Sequence, residues 1–240
     1  MQLSFIVSII IFLFFIFLLS VGCTRLVSFF SKRFGWLAIP NGRSSHTIPT
    51  AKGGGIAIVI VFFIALLVLW GYALIPNVLM FALAGGGLLA AGVSLADDWR
   101  YVHIGVRLLV HFTAAAIAIF FVGNISSLDI GGRTLQLHWF SNLVPIGIVW
   151  MMNMYNFMDG ADGLAGSQAV FTGVIGGVLL AMVGAWDLAL IAWILAAATA
   201  GFLVWNWSPA TIFMSDVGSI FIGFVFAVLA VTITTIFGKE

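Results

Sequence analysis

The chain has 240 residues, 63% of them hydrophobic and only 7% charged, far above the roughly 45–50% apolar usage of soluble domains, and its mean hydropathy is +1.23. That composition belongs to an integral membrane protein. A net charge of +1, with no basic run interleaved with aromatics, leaves no footprint for nucleic acid. The lone Cys23 excludes an intramolecular disulfide. Four scattered histidines (His46, His103, His111, His138) without paired ligand spacing argue against zinc, so any metal is expected to be one held by oxygen.

From the N-terminus, residues 3–23 form an apolar run longer than the ~7–15 residues of a signal-peptide core, with no basic residue before it and no small-residue cleavage pattern after it. It reads as a retained transmembrane helix. About 20 apolar residues are needed to cross a bilayer, and uncharged runs near that length predict eight spans: 3–23, 53–74, 78–95, 108–122, 143–158, 164–183, 188–205 and 217–236. Segment 25–39 mixes Phe29, Phe30, Phe34, Trp36 and Leu37 with Lys32 and Arg33, which predicts a separate interfacial helix. The glycine clusters Gly53 to Gly55, Gly85 to Gly87 and Gly176-Gly177 predict close helix packing. In the loop 123–142, Leu128, Ile130, Leu135, Leu137 and Trp139 alternate with polar residues around Gly131-Gly132, the pattern of a short β-hairpin. The expected fold class is therefore all-α: a polytopic membrane helical bundle of about eight transmembrane helices with a short outer β-hairpin, one integral membrane domain over 1–240.

Cytoplasmic loops carry the excess of Lys and Arg. Arg25, Lys32, Arg33, Arg43 and Lys52 follow the first span and Arg100 and Arg107 follow the third, whereas the other side holds only Arg133 and Lys239. Both termini are thus expected outside the cytoplasm. The same threading sends Asp97 and Asp98, Asp159 and Asp162, and Asp216 to the cytoplasmic face, and leaves Asp129, Asp187 and Glu240 on the outer one.

Clustered carboxylates repel one another and need a cation or shared protons to persist. Oxygen donors without His or Cys select a hard cation, Mg²⁺ first with Mn²⁺ as the alternative, and Mg²⁺ prefers one or two carboxylates plus waters and substrate phosphates. Asn153 and Asn156 are three apart and face one side of a last helical turn. Gly160 and Gly163 then break the helix and let backbone amides, Asp159 and Asp162 close around a ligand. Plainer roles exist for each: a helix cap for Asp216, an arginine-paired helix end for Asp97-Asp98, interhelical hydrogen bonds for Asn153 and Asn156, local hydrogen bonds for His46 and His111. Their convergence on one face favours a ligand site.

The stretches ADDW at 96–99, NMYNFMDGADGLAG at 153–166, NWSPATIFMSDVGS at 206–219 and PNGRSSHTIPTAKGGG at 40–55 resemble four characteristic cytoplasmic motifs of the polyprenyl-phosphate N-acetylhexosamine-1-phosphate transferases. That family includes the undecaprenyl-phosphate GlcNAc-1-phosphate transferases and phospho-MurNAc-pentapeptide translocase, and the pattern NxxNxxDGxDGLA is highly specific for it. The resemblance implies transfer of a sugar-1-phosphate from a UDP-sugar to polyprenyl (undecaprenyl) phosphate, with release of UMP, on the cytoplasmic side of the inner (plasma) membrane during cell-envelope glycan synthesis. It implies Asp216 as the principal Mg²⁺ ligand, with Asn156 or Asn153 as a second, and Asp97 and Asp98 as the pair handling the lipid phosphate, one of them as base or as a further metal contact. Asp159, Asp162 and Gly163 fall in the nucleotide loop, Asn206 and Phe213 at positions that hold and stack the uracil, and Arg43, His46 and Lys52 at diphosphate contacts.

Three features depart from the family pattern. Ser215 stands where Gly usually precedes the metal Asp, and Thr211 stands where relatives often carry Lys. Relatives also continue through further helices and a last cytoplasmic loop rich in His or Arg, so this chain, ending at Glu240, is expected to lack that C-terminal part. Two other readings follow: a catalytically inactive fragment or paralogue, or a cation-binding transporter, which would need acids near mid-bilayer. A homodimer is an open form of assembly.

Overall fold

The computed structural model describes residues 3–40, 48–125, 127–130, 133–136 and 140–237. Among them lie eight α-helices: α1 (Leu3–Arg33), α2 (Gly55–Gly71), α3 (Asn77–Trp99), α4 (Ile104–Val122), α5 (Val144–Met158), α6 (Leu164–Met182), α7 (Trp186–Asn206) and α8 (Ser215–Phe237). Two small antiparallel ribbons accompany them. β1 (Leu37–Ala38) pairs with β2 (Thr50–Ala51), and β3 (Ser127–Ile130) pairs with β4 (Arg133–Gln136) in a register that sets Leu128 opposite Leu135. The second ribbon is the anticipated hairpin; Gly131, Gly132, Leu137 and Trp139 lie outside the described residues.

Six helices, α1, α3, α4, α6, α7 and α8, are long and apolar enough to cross a membrane. The spans expected at 53–74 and 143–158 are shorter, with 17 residues in α2 and 15 in α5, or about 26 and 22 Å of helix. Gly53, at a φ of +84°, delays the start of α2, and Ala73, at a φ of +55°, closes its far end. The separate interfacial helix expected over 25–39 does not form. No glycine or proline interrupts the chain between Cys23 and Arg33, so α1 runs on through its charged last turn for 31 residues, about 46 Å. Gly35 then stops it at a φ of +70°, with Trp36 N donating back to Ser31 O at 2.8 Å.

Helix α8 is the axis of the bundle: 83% of its most apolar window is buried inside the protein, against 11% for α1. Lipid is as apolar as Leu, so helices associate by close van der Waals approach, for which small residues make room. A Cβ at Gly223 of α8 would lie 2.6 Å from the Met151 carbonyl of α5, and one at Gly55 of α2 would lie 2.3 Å from the Gly218 backbone of α8. Gly86 of α3 likewise lies against Phe224 of α8. Of the glycines singled out above, Gly176 faces open space and Gly53 serves a turn.

Helix direction alternates. Arg107 at the start of α4 meets Asp97 at the end of α3 and Asp216 at the start of α8, and Gly163 before α6 meets Asn206 at the end of α7. At the opposite end Phe5 of α1 lies edge-on to Trp186 of α7 at 6.3 Å. The loops after α1, α3, α5 and α7 therefore share one end, as the threading required.

Candidate active site

Neighbouring helical residues point about 100° apart, so the last turn of α3 sends its two carboxylates in different directions. Asp97 Oδ1 accepts from Val102 N at 2.8 Å, and its Oδ2 accepts from Arg107 Nη1. The other arm of the same guanidinium, Nη2, donates to Asp216 Oδ2 at 3.1 Å. Asp98 turns toward the start of α8, where Val217 N approaches its Oδ2 at 3.4 Å; its main-chain oxygen accepts from Trp36 Nε1, also at 3.4 Å. An unpaired backbone N–H at a helix start is a natural neighbour for a carboxylate.

The end of helix α5 supplies a fourth acid. Asp159, its C-cap, is pushed up to about 8, first by burial and then by the negative charges of Asp216 and Asp98, with a hydrogen bond to the Ser215 backbone opposing the rise. Asp98, Asp159 and Asp216 thus lie in one another's field although they come from three helices. Asn156 Nδ2 donates to Ser219 Oγ of α8 at 3.2 Å, which locks the end of α5 to the first turns of α8. Asn153 is turned to its own helix, donating to Val149 O at 2.7 Å.

The loops beside the acids are cross-braced. Gly163, at a φ of +73°, donates its N–H to Asn206 Oδ1 at 3.0 Å, and Asn206 Nδ2 donates to Ile212 O at 2.9 Å. Asn206 is 3% exposed, so its amide is spent on joining the α5–α6 loop to the α7–α8 loop. Asp162 Oδ2 joins the same loops by accepting from Ala210 N at 3.0 Å. Phe213 donates its N–H to Ala51 O and accepts from Gly54 N, both at 2.9 Å, with its ring partly exposed. The Lys52 backbone is held by Trp36 and Ser31, and its charge acts on Asp98. Arg43 and His46 lie outside the described residues.

Arg107 is the participant that sequence reasoning passed over as a mere marker of orientation. The available signal was its position at the edge of an apolar span, where a charge needs a partner. His111, one turn further along α4, is 2% exposed, and its Nε2 has no hydrogen-bond partner among the described residues, unlike the locally bonded role expected for it. On the α1 side, a cavity of about 710 Å³ lined by Phe30, Phe34, Trp36, Trp99 and Arg100 opens beside the Asp98 backbone.

Among the described residues no three His, Cys, Asp or Glu side chains form a ready-made ligand group. What the site offers is mutually repelling carboxylates and amide oxygens from separate helices, with no Cys among them. That donor chemistry fits a hard cation that completes its shell with water and phosphate.

The glycosyl transferase family 4 model matches residues 80–234, a stretch that contains all of these acids, both asparagines and the cross-braced loops. The chain is 34% identical over 189 residues to a phospho-N-acetylmuramoyl-pentapeptide-transferase of Kosmotoga olearia, covering 75% of this chain and 58% of that one. It is 28% identical over 214 residues to a probable undecaprenyl-phosphate N-acetylglucosaminyl 1-phosphate transferase of Bacillus subtilis, covering 86% and 58%. It is also 28% identical over 226 residues to a decaprenyl-phosphate N-acetylglucosaminephosphotransferase of Mycobacterium tuberculosis, covering 86% and 55%. The chain spans about half the length of the curated relatives it matches. Since the match runs from α3 into the last turn of α8, with the acidic end of the bundle inside it, the chain belongs to glycosyl transferase family 4.

Proposed function

We propose that the protein transfers an N-acetylhexosamine-1-phosphate from a UDP-sugar to a polyprenyl phosphate at the cytoplasmic face of the plasma membrane. An oxygen of the lipid phosphate bonds to the sugar-bearing β-phosphorus. The bond from that phosphorus to the bridging oxygen breaks, and UMP leaves with the oxygen. The observation carrying this reading is the convergence of Asp98, Asp159 and Asp216 from three helices at one end of an apolar bundle. One substrate is water-soluble and the other is a lipid, so their phosphates meet only at a membrane boundary, and acids gathered at one end of an apolar bundle suit that meeting. Arg33, Lys52, Arg100 and Arg107 lie at the same end and support a cytoplasmic orientation.

Asp216 and Asn156 would hold Mg²⁺, with Asp159 beside them. When bound, the ion supplies charge neutralisation at the diphosphate and the departing UMP. Asp97 has both oxygens engaged by Val102 and Arg107, which leaves Asp98 as the carboxylate that faces the lipid phosphate. The cavity at Trp36 and Trp99 gives the isoprenoid chain an apolar wall next to Asp98. The braced loops carrying Asp162, Gly163 and Asn206 form the nucleotide side, with the Phe213 ring as a stacking surface. UMP release from UDP-GlcNAc in the presence of undecaprenyl phosphate and Mg²⁺ tests this: Asp216→Asn is expected to lose about 100-fold or more. Turnover equal in Asp216→Asn, or undiminished by EDTA, contradicts it, and UDP-sugar binding without UMP release marks a catalytically silent member.

A further inference from the structure

Arg107 holds two carboxylates from different helices with a single guanidinium, and the two arms differ. Asp97, 13% exposed, is fixed from its other side by Val102 N; Asp216, 31% exposed, has its arm at 3.1 Å. The Asp216 arm is therefore the one free to break. Once broken, the freed N–H, on a side chain 24% exposed, favours another acceptor over remaining unpaired. His111 lies four residues on, which puts it on the same side of α4. Its Nε2 is buried and, among the described residues, unpartnered, and its ring lies within electrostatic reach of both Arg107 and Asp216. The tautomer protonated at Nδ1 presents Nε2 as an acceptor.

We propose that Arg107 is a resident stand-in for the divalent cation: it bridges Asp97 and Asp216 while the site is empty of metal, and it swings its Asp216 arm onto His111 Nε2 when the metal binds. This rests on the reading above that Asp216 is a metal ligand. The bridge explains how mutually repelling acids stay assembled without an ion. The second position explains a buried imidazole nitrogen with nothing to bond. Arg107 is in this account a positioning residue, since it acts through Asp216.

The test is binding of Mn²⁺ to the full chain in lipid nanodiscs without substrates, read by electron paramagnetic resonance of the free ion. Arg107→Gln removes the competing charge and is expected to bind Mn²⁺ about tenfold more tightly than the wild type. His111→Leu strands the displaced arm and is expected to weaken binding about tenfold with Arg107 present, and to have no effect in the Arg107→Gln background. Arg107→Lys keeps the charge without the fork, and is expected to gain about threefold; it decides the matter if the Gln variant fails to fold. Unchanged or weaker binding in the folded Arg107 variant, or an equal His111→Leu effect in both backgrounds, overturns the exchange. Mn²⁺ binding that Asp216→Asn leaves untouched removes the metal reading itself and this proposal with it, whereas Asp216-dependent binding without the Arg107 effect removes the proposal alone.

Discussion

Ser215 adopts a φ of +66° immediately before the key aspartate, a left-handed conformation that disfavours an L-residue by roughly 1–2 kcal/mol. Its Oγ accepts the Gly53 N–H at 3.0 Å, which offsets part of that strain. Ser215→Ala keeps the strain and loses the bond, so a drop of about 1 kcal/mol is expected in thermal melts; Ser215→Gly loses both and is expected to melt at or above the wild type. An Ala variant as stable as the wild type contradicts the assignment. The sequence showed Ser in a glycine position; the backbone angle that makes glycine suitable was invisible, because it depends on how the loop before α8 meets Gly53. At Asp159, burial and neighbouring acids raise the proton affinity to about 8, against an ordinary value of about 3.9. Between those values the metal-free folded protein keeps a proton that the unfolded chain releases. The contribution of Asp159 to stability is therefore full below about pH 4 and is lost as pH rises toward 8. Asp159→Asn should flatten that slope in detergent melts, and a metal-free protein that grows more stable over this range would contradict the geometry.

At the acidic end α2 and α8 meet glycine on glycine. A Cβ at Gly55 would lie 2.3 Å from the Gly218 backbone, so Gly55→Ala must push the start of α2 away from the turn of α8 that carries Asp216, at about 1–3 kcal/mol. Gly176→Ala meets nothing within 4 Å and is expected to be neutral or to stabilise by up to about 1 kcal/mol, since Ala is the better helix former. Equal melting temperatures for the two variants would deny the contact. The existence and order of the helices were legible because uncharged runs of span length are rare outside membranes. Their ends were less so: α1 ran ten residues past its expected stop because nothing breaks the helix before Gly35, and α2 fell short because turn glycines and Ala73 set its limits. The pairing of Asp97 with an arginine was among the readings the sequence allowed, but the second arm of Arg107, onto Asp216, was not legible. It joins residues 109 positions apart in the chain, and neither local periodicity nor motif spacing reports such a contact.

For the molecule as a whole, threading the apolar spans back and forth sufficed to place five aspartates at one end, and the contacts of Asp97, Asp98, Asp159, Asp162 and Asp216 agree with it. Orientation is directly measurable. In a Cys23→Ser background, exposed Gln136→Cys is expected to react with an impermeant maleimide in right-side-out vesicles, and exposed Thr211→Cys only after permeabilisation; the reverse pattern would put the acids outside. The chemistry needs one further readout. With UDP-GlcNAc radiolabelled at the β-phosphorus, undecaprenyl phosphate and Mg²⁺, label is expected to move into the lipid phase with wild-type protein and to stay in the aqueous phase with Asp216→Asn or EDTA. Label that never leaves the aqueous phase with folded wild-type protein, or that moves equally without Mg²⁺, would contradict it.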